Sequence, residues 1–226
     1  MKKIITGLFI ALFSIGTVSA EIGLSIGVSG QMGLFAASGT ETDRGTHGTT
    51  TGGNELNSES DYLGAGWASI FVEKTLGERF FFGLDYVPSA LETEEKQDVK
   101  IDYSGVGGVI TSTSTNRYSV DFEDMTSLYV GVKLGEALYV KAGTMTVDVI
   151  TNDVLGTGST YGNTDMDGTM FGIGMNKTFD NGLFARVEGT YMEWDGASVT
   201  SANGVNTMAI DNLDGVSGKI SVGKTF

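Results

Sequence analysis

The chain has no cysteine, one proline and one histidine in 226 residues. Without cysteine there is no disulfide framework and no thiolate metal site, so a core or a closed sheet must hold the fold. Proline cannot donate to a strand ladder, and its near absence leaves long stretches free to pair as sheet. The lone His47 stands in the polar run Arg44-Gly45-Thr46-His47-Gly48-Thr49. A hydrolytic histidine needs a partner group on a rigid scaffold, which a Gly/Thr loop does not supply. Basic residues are scarce too: 14 Lys and Arg face 28 Asp and Glu, a formal net charge of −14. That balance disfavours nucleic acid as a partner. Beyond Val18 no apolar run approaches the ~20 residues of a membrane helix. No phosphate-binding loop, Cys/His metal site or GxSxG elbow occurs. The expectation is a protein with no catalytic residue, cofactor or metal.

What is present begins with an export signal. Lys2 and Lys3 precede an apolar stretch from Ile4 to Val18, and Val18-Ser19-Ala20 offers small residues at the cleavage positions. This predicts a cleaved signal peptide over 1–20 and one domain over 21–226. That domain alternates. Ile22, Leu24, Ile26, Val28, Met32 and Leu34 share one parity, and Gly23, Ser25, Gly27, Ser29, Gln31 and Gly33 share the other. A period of two with unlike faces is a strand between two environments.

A recurrent signal punctuates the runs. Lys74-Thr75-Leu76-Gly77, Lys133-Leu134-Gly135-Glu136 and Lys177-Thr178-Phe179-Asp180 each lead at once into another alternating run. Lys224-Thr225-Phe226 repeats the pattern. Eight strands follow, at 22–35, 62–74, 79–88, 124–134, 137–149, 168–178, 183–195 and 212–226. Short connections at 75–78, 134–137 and 178–182 alternate with long ones at 36–61, 88–117, 148–168 and 195–214. The long ones hold 17 acidic and four basic residues. The prediction is an all-β, closed, antiparallel, up-and-down transmembrane barrel of about eight strands, with short periplasmic turns and long extracellular loops. Val99, Ile101 and Tyr103, with Tyr118, Val120 and Phe122, alternate between the third and fourth predicted strands and predict an extension of the wall. A ten-stranded barrel is the rival.

If the apolar parity meets lipid, the other parity brings charge into a narrow lumen. Arg79, Asp85, Lys133, Lys141, Arg186, Glu188 and Lys219 all lie on it, with Glu73 a further acid. Opposite charges can pair there and fill a small barrel. The predicted contact for Arg186 is Glu188. The small residues Gly23, Gly27 and Gly33 leave open a narrow conduit. Trp67, Trp194, Tyr62, Tyr86 and Tyr191 fit interfacial belts. The second strand is ambiguous, with Trp67 and Phe71 competing with Ile70 and Val72 for the lipid face. Asn163-Thr164-Asp165-Met166-Asp167-Gly168 matches the opening of a calcium loop, but Gly174 stands where the closing Glu belongs, and a solvated acidic loop is expected.

With these features the chain resembles the small outer-membrane β-barrels of the OmpA/OmpX and opacity-protein type. The resemblance covers the architecture and the final strand, Val216-Ser217-Gly218-Lys219-Ile220-Ser221-Val222-Gly223-Lys224-Thr225-Phe226. It implies an assembly signal in Ile220, Val222 and Phe226 that the barrel-assembly machinery reads, although Lys224 departs from the family's apolar preference. It also implies a place in the outer membrane of a Gram-negative-type bacterium, with membrane lipid as partner. The expected function is non-enzymatic display of acidic loops, for envelope integrity, surface interaction or adhesion. The alternative is a narrow porin-like channel. The extracellular partner stays open, since one barrel fold hosts many functions.

Overall fold

The computed structural model describes residues 23–43, 55–88, 91–104, 109–154, 160–204 and 206–226. The predicted signal segment and His47 lie outside them. The described residues form strands and turns without a helix. Eleven strands appear: β1 (Leu24–Asp43), β2 (Glu55–Leu76), β3 (Phe80–Tyr86), β4 (Leu91–Glu92), β5 (Lys96–Ser104), β6 (Val109–Lys133), β7 (Leu138–Val154), β8 (Thr164–Thr178), β9 (Leu183–Trp194), β10 (Ala197–Thr200) and β11 (Asn206–Thr225).

Eight of these pair in the order β1-β2-β3-β6-β7-β8-β9-β11, and β11 returns to β1. The closing ladder runs from Ser25↔Thr225 to Asp43↔Asn206. Every pairing is antiparallel, so the sheet is an up-and-down barrel without an edge at this level. The remaining strands do not enlarge the ring: β4 and β5 pair with β6, and β10 pairs with β11. The short connections turn on Gly77, Gly135 and Gly182, whose φ values of 62°, 115° and 81° are costly for other residues.

The strands outrun their predicted ends on the long-connection side. β1 continues to Asp43, β6 starts at Val109 rather than 124, and β11 starts at Asn206 rather than 212. The cause is physical. Above the lipid both faces meet water, so the contrast between parities fades while backbone pairing continues. β9 ends at Trp194, close to its predicted end, and β3 stops short at Tyr86, two residues before Pro88, which has no N–H to donate. A bulge between Glu123 and Thr126 breaks the β6–β7 register there, and Asp124 has a φ of 52°.

Parity decides what each residue meets. On β1 and β11, Ile26, Val28, Met32, Leu34, Ile220 and Val222 are exposed, Met32 to 78%. Their neighbours Ser25, Ser29, Ser217, Lys219 and Ser221 are buried. A polar inside and an apolar outside invert the soluble pattern and match a barrel in lipid. On β2, Trp67 and Phe71 turn inward and Ile70 is exposed, while Val72, the other candidate for the lipid face, is buried. Trp67 and Trp194 therefore do not belong to an interfacial belt, since both join the interior core.

Candidate functional site

Aromatic rings make the first filling of the lumen. Next to the short turns, Phe81 of β3, Tyr129 of β6 and Tyr139 of β7 form a buried cluster. The Phe81 ring meets Tyr139 and Tyr129 edge-on, at centroid distances of 5.6 and 6.4 Å. Each ring lies against a glycine directly across the ladder. Phe81 faces Gly131, Tyr129 faces Gly83, and Tyr139 faces Gly174. The same holds for Phe71 with Gly27, Phe35 with Gly215 and Phe184 with Gly223. A Cβ on any of these glycines would run into the ring or the adjoining backbone. Inward glycine is thus room for an aromatic side chain. The space beside Gly27 and Gly33 is taken by Phe71 and Trp67.

The charges come next along the axis. Arg186 on β9 reaches across the lumen to Glu73 on β2 with two bonds, Nη1 to Oε1 at 2.6 Å and Nη2 to Oε2 at 2.8 Å. Lys141 on β7 pairs with Glu188 on β9 at 2.8 Å. Lys219 on β11 pairs with Asp85 on β3. Tyr129 donates to Glu73 at 2.8 Å and Tyr139 donates to Glu188 at 2.6 Å. Thr190 adds a third bond to Glu188, at 3.0 Å. The Lys141 ammonium also sits 4.1 Å from the centre of the Tyr129 ring. Three cations meet three anions, so the buried set is neutral. Buried ions need this degree of pairing and hydrogen bonding to offset lost hydration.

Several expectations change here. Arg186 takes Glu73, not Glu188, as its partner. Arg79 and Lys133 are exposed and stand outside the network. They have the inward parity, but they lie at the turn end of the β3–β6 ladder, where Lys133 N–H donates to the Arg79 carbonyl at 2.8 Å. The aromatic cluster lies inside that rim, so their head groups reach water. Asp165 and Asp167 point outward from β8 on either side of the buried Met166, and an extended strand cannot wrap a calcium ion. Ile220, Val222 and Phe226 lie on the outer face of the closing strand, and the Phe226 N–H donates to the Leu24 carbonyl at 2.8 Å.

Towards the long connections the filling becomes apolar. Phe35, Trp67, Met125, Met145, Val147, Val149, Met166, Met170, Met192 and Trp194 pack together inside the barrel. Unbranched methionine fits such irregular spaces. Between this core and the ion pairs remains a cavity of about 20 Å³, bordered by Trp67, Asp85, Met170, Glu188 and Lys219 among others. That holds about one water molecule. Sequence pattern missed this core because its residues occupy the parity that reads as lumen. The repeated Met at positions 145, 166, 170 and 192 was the available signal.

The chain shares its fold with known outer-membrane barrels. The structure of the outer membrane protein OprG from Pseudomonas aeruginosa superposes with a TM-score of 0.52, at 12% identity over 91% of this chain and 97% of that one. Ail, the attachment invasion locus protein of Yersinia pestis, gives a TM-score of 0.37 at 9% identity, over 88% of this chain and 99% of that one. The Escherichia coli outer membrane protease OmpT gives 0.43 at 11% identity, over 94% and 100%. No family model and no curated protein matches the sequence. The fold is therefore that of an outer-membrane β-barrel.

Proposed function

We propose that this chain spans the outer membrane as a non-conducting, non-enzymatic barrel that presents an acidic surface outside the cell, for surface interaction, adhesion or envelope integrity. One observation carries the proposal: the lumen is filled along its length by aromatic rings, three ion pairs and a methionine core. A barrel of eight strands leaves space for side chains and little else. The conduit alternative would require the Trp67 and Met170 region to vacate the axis. What remains available to partners is the wall above the lipid, where Glu59, Asp61, Asp165, Asp167, Asp195 and Asp211 are exposed. Ile220, Val222 and Phe226 on the closing strand fit a signal for the barrel-assembly machinery.

The absence of native cysteine makes the test direct. In intact cells Ser58→Cys on upper β2 reacts with a membrane-impermeant maleimide, whereas Glu136→Cys in a short turn reacts only after lysis. Labelling of Glu136→Cys alone in intact cells contradicts outward display.

A further inference from the structure

We propose that the outer wall across β8, β9 and β11, at the short-turn end, binds the headgroup of an anionic phospholipid of the periplasmic leaflet. The inference rests on outward display of the long connections, which places the short turns at that leaflet. The recurrent Lys-Thr-Phe signal has no part in the packed lumen. Lys177-Thr178-Phe179 stands at the end of β8, and Lys224-Thr225-Phe226 at the end of β11. Lys177 continues the outward parity of Phe171, Ile173 and Met175, and Lys224 that of Ile220 and Val222, all of them exposed. Both lysines are themselves exposed, where the lipid-facing band ends.

β9 runs between the two. Ala185 is opposite Lys177, and Leu183 is opposite Lys224. Adjacent strands lie about 4.8 Å apart, so the lysines flank a gap about 10 Å wide. Leu183 stands in that gap, 47% exposed. Phe179 and Phe226 lie two residues beyond the lysines, at 52% and 55%. Backbone bonds hold this ledge in place. Phe179 N–H donates to the Leu183 carbonyl at 2.8 Å, and Thr225 N–H donates to the Gly182 carbonyl at 2.9 Å. The Lys224 ammonium sits 5.3 Å from the centre of the Phe226 ring.

Two cations beside an apolar ledge suit an amphiphile. A lysine at the edge of the lipid band lays its stem along apolar surface and holds its ammonium among the headgroups. A phosphodiester supplies the opposite charge there, while the glycerol and first acyl carbons meet Leu183 and Phe226. A zwitterionic lipid carries its own ammonium, which competes with the lysines for the phosphate, so a net anionic lipid is preferred. Among the described residues neither Lys177 nor Lys224 has an ion-pair partner. Asp180 and the terminal carboxylate stand beyond them towards water. Lys74-Thr75-Leu76 on β2 repeats the signal, but Lys74 is half-buried and leucine replaces the phenylalanine. The β8–β11 pair is the more open site.

The test uses the folded chain in nonionic detergent micelles with equal amounts of phosphatidylglycerol and phosphatidylcholine. Native mass spectrometry counts the lipids retained. Each lysine at an anionic surface contributes about fivefold in affinity, so the wild type favours phosphatidylglycerol by about 25-fold. Lys177→Gln/Lys224→Gln falls to about parity. Arg79→Gln/Lys133→Gln removes the same charge at the same end, from the inward parity, and keeps the wild-type ratio. Lys177→Arg/Lys224→Arg keeps it too. Heat-modifiable migration shows that each variant folds. The inference is overturned by a wild type without preference, by an unchanged ratio in Lys177→Gln/Lys224→Gln, or by equal losses in both Gln variants. Any of these with Ser58→Cys labelled in intact cells removes this inference and leaves display standing; failed labelling removes the periplasmic assignment together with display.

Discussion

Arg186 shows what a single residue does in this interior. It comes from β9, yet its carboxylate partner is on β2, 113 positions away in sequence. Arg186→Leu leaves Glu73 buried with the Tyr129 hydroxyl, which cannot neutralise it. We expect a loss of about 3–5 kcal/mol, whereas Arg79→Leu at the exposed rim stays within about 0.5 kcal/mol. Replacing both Arg186 and Glu73 by Leu recovers most of the loss. Urea unfolding from detergent micelles measures all three, and equal midpoints for the two single variants contradict the buried pair. Parity made the inward placement of these charges legible from sequence. Their partners were not legible, because contact across a lumen depends on strand stagger, which no local pattern records. Arg79 and Lys133 show the same limit: parity gives direction, and height along the axis decides whether the direction leads to a core or to water.

At the scale of the element, the pairing of glycine with aromatic residues sets the packing. Gly131→Val drives a side chain into the Phe81 ring. Overpacking of this kind costs about 1–3 kcal/mol. Gly189 has open space around its Cβ position on the outer face, so Gly189→Val is neutral within about 0.5 kcal/mol by the same unfolding assay. If both variants shift alike, the rings do not occupy the glycine positions. The closing strand allows a separate prediction. Deleting Phe226, half exposed at the end of β11, leaves refolding into detergent nearly unchanged while insertion in cells falls sharply. Normal insertion contradicts the assembly-signal proposal. Strand existence and facing were readable because lipid and lumen differ in polarity. Strand length was not, since Ser58, Thr113 and Thr207 pair in a ladder where both faces are wet.

For the whole molecule, closure and filling act together. The β1–β11 ladder joins the two ends of the sheet, so no edge strand is free to start local unfolding at the membrane level. We expect heat-modifiable migration and resistance to protease in detergent, and an unheated sample that migrates as unfolded chain contradicts closure. The same eight-membered ring could surround a pore or a packed interior, and sequence alone left both open through the glycine face of β1. The interior core, with both tryptophans and four of the inward methionines on β7, β8 and β9, supports the packed version. Ion conductance across a planar lipid bilayer holding the purified, folded protein tests that claim most directly. The filled lumen predicts a membrane as silent as one without protein at any modest voltage. Stable, reproducible unitary currents from protein whose ion pairs are intact would contradict it.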